Sequence, residues 1–349
     1  MGNSVRDWVR QRPGSNALTP SLDLVSRSRS GFTLLELMVS MVVFALILAI
    51  ILGIISNTSM LTRRAGDRIS AFQAARAAFD TLAANLSQAT LNSYWDYDDP
   101  AAPQKYRRMS ELHFLIGQAG TAPFPGTPGT GQAIFFQAPL GYSKTPAIRT
   151  MNDLLNSCGY YVEYADAETL PPPFPAPPAR YRYRLMQALN SSEKLLVYQS
   201  PKSVDGLSGQ TWVSGESSVP LAENVIYLLA WPRRSPADDS QGTSLTDSGT
   251  FSYNSRENAD DDPQPATAHQ MPPVIQLTMV VLDEASAARI CLSATPPEEV
   301  NTALKDLFET PGEDAFKQDL KTLQDRLAAA GLSFQVFSAL IAVRESKME

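Results

Sequence analysis

Cysteine and histidine are nearly missing: 349 residues hold two of each, Cys158, Cys291, His113 and His269. Four such side chains at these intervals match no familiar zinc spacing. Proline is missing from one region only. The chain has 26, yet none lies between Pro20 and Pro100, so a long helix can run there unbroken. A nucleophile turn of the G-x-S-x-G type is absent, since Gly215-Glu216-Ser217-Ser218-Val219 lacks the second glycine. Gly126-Thr127-Pro128-Gly129-Thr130-Gly131-Gln132-Ala133 has the glycine spacing of a phosphate-binding loop. Gln132 and Ala133 replace its lysine and hydroxyl residue, so it reads as a turn between strands. Neither histidine sits in a recognisable catalytic motif. Net positive charge is lacking as well, and at −7 the chain is ill suited to nucleic-acid phosphates. Neither an enzyme nor a nucleic-acid partner is expected.

The charge is divided along the chain. Residues 1–31 carry five arginines (Arg6, Arg10, Arg12, Arg27, Arg29) against Asp7 and Asp23, a balance of +3. The rest carries 24 basic and 34 acidic residues, a balance of −10. Between leader and body, residues 37–55 read LMVSMVVFALILAIILGII, with Ser40 the one polar side chain among them. A helix needs about 20 such residues to cross the hydrocarbon core. The basic leader places the N-terminus in the cytoplasm and the body in the periplasm, with the chain passing once through the inner membrane. Arg63 and Arg64 on the far side work against that rule, and Asp67 partly offsets them. A secretory signal would have a shorter apolar region ending in small residues. Glu36 stands at the start of the run, with no lysine or arginine in the following helical turn. An ionisable group there is costly and marks a functional position.

The stretch GFTLLELMVSMVVFALILAI, from Gly31, resembles the N-terminal signal of type IV prepilins and pseudopilins almost residue for residue. That resemblance implies cleavage between Gly31 and Phe32 by a membrane-embedded prepilin peptidase, which then methylates the amine of Phe32. It makes Glu36 the fifth residue of the mature chain, where the family's glutamate pairs with a neighbour's N-terminal amine and sets filament register. The implied cofactors are none. The implied partners are other pilins or pseudopilins, the peptidase, and an inner-membrane assembly platform with its ATPase. The 31-residue leader is long for the family. Gly53 occupies the mature position at which many major pilins have proline.

Beyond the membrane, Ile69, Phe72, Phe79, Leu82 and Leu86 form one apolar stripe, so the helix should continue to about Leu91. Residues 93–100 end it. Candidate strands are Leu112–Ile116, Ala133–Gln137, Gly159–Tyr164, Tyr181–Gln187, Leu195–Gln199, Val225–Trp231, Ile275–Leu282 and a last one within Ser333–Arg344. Helices are expected over 298–330, broken at Pro311-Gly312 and capped at Gly331. The expected fold class is α+β, with the long N-terminal helix packed on an antiparallel sheet. The domains are a leader (1–31), a membrane helix (32–56), its periplasmic continuation (57–92) and a globular body (93–349). The proline-rich run 171–178 reads as a spacer, and 236–270 as a long polar loop.

GQAIFFQAPLGY, LAENVIYLLAW and PPVIQLTMVVLDE resemble strand motifs of minor pseudopilin J of type II secretion and its minor pilin relatives. SFQVFSALIAVRESK resembles verrucomicrobial cassette protein C. Retention of Glu36 argues against the tip subunit that resembles pseudopilin K. The resemblance implies a structural subunit of a pseudopilus or pilus; the alternative is a singly anchored periplasmic binding module or hydrolase that does not polymerise. If the body is exported, Cys158 and Cys291 offer one disulfide, with two buried free thiols the other reading. Asp260, Asp261 and Asp262 offer oxygen ligands for calcium, although the twelve-residue calcium-loop pattern is absent.

Overall fold

The computed structural model describes residues 33–99, 101–148, 150–166, 179–199, 207, 210–214, 217–235, 237–245 and 249–348, without the side chains of 57 and 59–70. Residues Met1–Ser59 and Met60–Glu349 form two compact units. One helix, α1 (Leu34–Ser87), begins in the first and ends in the second.

In the first unit α1 includes a 23-residue apolar span, Leu34–Ser56, long enough to cross a membrane and with every described side chain exposed. Ser40 donates to the Leu37 carbonyl at 2.9 Å, so its hydroxyl is satisfied within the helix. A hydroxyl bonded in this way can sit in lipid at small cost.

In the second unit α1 buries Ala75, Ala78, Phe79, Leu82 and Leu86, with Phe72 half-buried. This is the predicted stripe, except that the side chain of Ile69 lies outside the description. Arg76 and Asp80, one turn apart on the solvent side, pair at 3.0 Å. After Ser87 the chain turns, and Thr90 N–H donates to the Gln137 carbonyl at 2.9 Å, handing the chain to a strand.

The strands and helices that follow are β1 (Tyr94–Tyr97), β2 (Tyr106–Met109), β3 (Leu115–Gln118), β4 (Gln132–Pro139), β5 (Leu155–Asp166), β6 (Tyr181–Asn190), β7 (Ser217–Glu223), β8 (Val225–Arg233), β9 (Tyr253–Asn254), β10 (Val274–Leu282), α2 (Glu284–Ile290), α3 (Glu298–Leu304), α4 (Glu313–Ala329) and β11 (Phe334–Ala342). They form a hairpin β1-β2, a three-stranded sheet β11-β10-β8 and a six-stranded sheet β7-β6-β5-β4-β3-β9, with all strand pairs antiparallel. The α+β expectation holds. Phe79 of α1 meets Phe337 of β11 at 5.9 Å between ring centroids, and Asn85 donates to the Tyr160 hydroxyl of β5 at 2.7 Å. The helix is thus fixed to both sheets by one apolar and one polar contact. On α4, Phe316, Leu323 and Leu327 are buried; Phe316 lies 5.6 Å from the Trp231 ring, and Glu313 holds Arg233 at 2.7 Å.

Several expectations are corrected. Leu195–Gln199 is no strand but a tight turn of 3-10 helix, Leu196–Tyr198, next to another at Ser192–Lys194. The strand expected at Leu112–Ile116 begins later, at Leu115. The N–H groups before it are taken by side chains: Leu112 donates to Asn92 Oδ1, His113 to Gln137 Oε1 and Phe114 to Ser255 Oγ. Residues 94–97 start a hairpin, and the polar loop 236–270 contributes β9. The short helix α2 went unread; it is started by Asp283, whose carboxylate accepts the Ser286 N–H at 2.8 Å. The proline-rich run 171–178 lies outside the described residues.

Cys158 and Cys291 are both free and buried, so the disulfide reading is corrected. Cys291 lies against the side chain of Tyr164, which stands six residues, about 20 Å at strand rise, along β5 from Cys158. A disulfide needs Cα atoms within about 7 Å. Burial pushes each thiol up to about 11, which leaves both unreactive.

The two histidines, 156 positions apart, come close enough to affect each other's charge. His113 is fully buried, with Nε2 at 2.7 Å from Asn254 Oδ1. Burial first, and then the Arg256 guanidinium, push its pKa from 6.5 down to about 3. The unfolded chain therefore binds a proton that the folded chain refuses in the window between those values. Stability is full above the upper value and falls as pH drops, by about 1.4 kcal/mol per pH unit from this group. Thermal melting from about pH 7 to about pH 4 checks this. His113→Gln should flatten the slope, and an unchanged slope would contradict the assignment.

Candidate functional site

The N-terminal signal is built from the start of α1. Thr33 closes the first turn: its carbonyl accepts the Leu37 N–H at 3.2 Å and its Oγ1 accepts the Glu36 N–H at 3.2 Å. Glu36 then stands in the first turn, exposed, where free N–H groups and the helix dipole favour a carboxylate. Between residues 33 and 56 it is the one charged residue. The helix start thus lowers the cost of the charge but supplies no cation. Gly31 and Phe32 lie outside the described residues.

The other sequence candidates separate. Asp262 pairs with Lys105, while Asp260 and Asp261 are exposed. Among the described residues no group of three or more His, Cys, Asp or Glu side chains stands together as a metal cage. The glycine turn 126–133 leads into a strand, β4, where a phosphate loop would lead into a helix. Its glycines serve geometry: Gly131 has φ +96, and a Cβ there would overlap the Leu228 carbonyl oxygen of β8. Each histidine stands alone in the sequence. Their meeting had no local signal, because it depends on the loop before β10 folding back over β3.

The class is that of a chain with one N-terminal apolar helix and an α+β body. Residues 26–52 match the family model for the prokaryotic N-terminal methylation motif, which takes in the end of the leader, Gly31, Phe32, Glu36 and most of the apolar span. That match supports a prepilin-type N-terminus and is consistent with a single-pass membrane anchor. No curated protein and no solved structure matches the chain.

Proposed function

We propose that this chain is a structural, non-enzymatic subunit, a minor pseudopilin or minor pilin. Prepilin peptidase cuts it between Gly31 and Phe32 and methylates Phe32, and the mature subunit joins a periplasmic filament with other pilins or pseudopilins. The observation that carries this reading is a lone carboxylate, Glu36, in the first turn of an otherwise uncharged membrane helix. Cleavage creates an amine four residues away, on Phe32, and a neighbour's amine supplies the missing counter-charge. The leader stays cytoplasmic and the body periplasmic. An inner-membrane platform and its ATPase drive assembly. The strand motifs of the body favour a subunit like pseudopilin J.

Expression with and without prepilin peptidase tests the reading. With the peptidase the chain should lose the 31 residues up to Gly31; without it the arginine-bearing leader should remain. A leader retained in both strains would favour an anchored binding module or hydrolase that never assembles.

A further inference from the structure

The two larger sheets end in four outer strands, β7, β9, β8 and β11, and the first three are closed to further pairing. On β7, Pro220 lacks a donor, Glu223 adds charge, and the register with β6 shifts between Leu185 and Met186. β9 is two residues long. The outer side of β8 is already taken. Its Leu228 N–H donates to the Thr130 carbonyl at 3.1 Å, its Ala230 N–H donates to Gln132 Oε1 at 2.7 Å, and Pro232 has no donor.

β11 has none of these devices. Its nine residues, FQVFSALIA, hold no proline and no charge, and they pair with β10 without a break in register. In an antiparallel edge strand, alternate residues give their N–H and C=O to the neighbour, and the residues between them turn theirs outward. Among the described residues, no backbone group outside β10 bonds to Phe334–Ala342. The side chain that reaches a carbonyl there is the strand's own Gln335, with Nε2 at 3.4 Å from the Val336 oxygen. Gln335, Ser338, Leu340 and Ala342 are exposed, so solvent reaches the strand along its length. A row of outward backbone groups on a long edge selects an extended backbone as its ligand. Because β11 is uncharged, the guest is uncharged too: a charge set beside it would lose water without gaining a partner.

The direction of α1 decides whose strand this is. Phe79 meets Phe337, and the Arg344 N–H donates to the Ser87 carbonyl at 3.1 Å, so α1 and β11 run in the same sense. Two copies joined antiparallel through β11 would be related by a two-fold axis that sets their α1 segments in opposite senses. Chains anchored in one membrane enter their bodies in the same sense. A two-fold along the strands would keep that sense but set N–H against N–H, because parallel pairing needs an offset of one residue. The other outer strands of a second copy are closed, as above.

We propose that the outer side of β11 docks an uncharged, extended strand from a different protein anchored in the same membrane. The open edge stands on β11 itself; the exclusion of a second copy rests on the anchoring proposed above. In the test, the full chain is held in lipid nanodiscs and titrated to about 1 mM with a lysine-flanked peptide of alternating threonine and valine, read by fluorescence anisotropy. A control peptide has proline in place of each valine, with the same charge and fewer ladder donors. The first peptide should saturate and the control should not. Ala339→Pro and Leu340→Pro separate the two sides of β11, since their N–H groups point opposite ways. The variant that faces β10 should lose melting temperature. The one that faces outward should keep it and bind the peptide at least about ten-fold more weakly. In native membranes under oxidation, Gln335→Cys, Ser338→Cys and Leu340→Cys should each give no disulfide-linked dimer of the chain. Three results would overturn the proposal: no saturation by the threonine–valine peptide, wild-type binding by both proline variants, or copy-to-copy disulfides at β11. Disulfides with peptide binding intact would place the failure in the anchoring, and absent peptide binding would place it in the edge.

Discussion

Glu36→Leu should leave the chain inserted and cut, yet reduce its recovery in filaments about a hundred-fold. Leucine is more apolar than glutamate, so membrane insertion gains rather than suffers. On the proposed function the peptidase cuts at Gly31-Phe32, upstream of Glu36 in the sequence, so processing should survive. The loss falls on assembly: the new amine of a neighbouring subunit would be left in lipid without a counter-charge. Removing one partner of a buried pair costs about 3–5 kcal/mol, and each 1.4 kcal/mol is a factor of ten. Glu36→Asp retains the charge but shortens its reach, and should fall between the two. The measurement is the ratio of the subunit in sheared filaments to that in membranes. Equal ratios for wild type and Glu36→Leu would show that the carboxylate plays no part in packing.

Gly131→Val should be the most damaging change in the body. The position has φ +96, and a side chain there would meet the backbone of Leu228, where the turn bridges to β8. Around it, the Ala119 N–H donates to the Gly131 carbonyl at 3.1 Å, and Gln132 Oε1 accepts the Ala230 N–H at 2.7 Å. The first bond stays within the six-stranded sheet, and the second joins that sheet to the three-stranded one. Left-handed strain and forced separation of the two backbones should cost at least about 4 kcal/mol. In a body of this size that lowers Tm by roughly 10 °C or more. Gly129→Ala is the control. Its φ is +83, but open space surrounds the new Cβ, so it should lose only about 1–2 kcal/mol. Similar melting temperatures for the two variants would contradict the account of this joint.

The sequence was most legible where one residue pattern decides the outcome. The stripe from Phe72 to Leu86 is a helix face because its spacing allows nothing else, and the valine- and isoleucine-rich runs at β8 and β10 are strands for the same reason. It was least legible where a distant partner decides. Leu195–Gln199 has strand composition but no strand to pair with, and forms a 3-10 turn. Leu112–Phe114 give their N–H groups to side chains from three other segments, which no local pattern announces. The thiols read as a pair only because the chain has two; their separation along β5 and α2 follows from sheet register. At the N-terminus the reverse holds. Glu36 could be singled out from the sequence because its oddity is chemical, a charge in an apolar run.

The most direct test is the mass of the N-terminal peptide of the protein recovered from cells that contain prepilin peptidase. The account predicts a chain that starts at Phe32 and carries one added methyl group on its amine. A peptide that still holds Gly31 and the arginines before it would contradict the account at its centre.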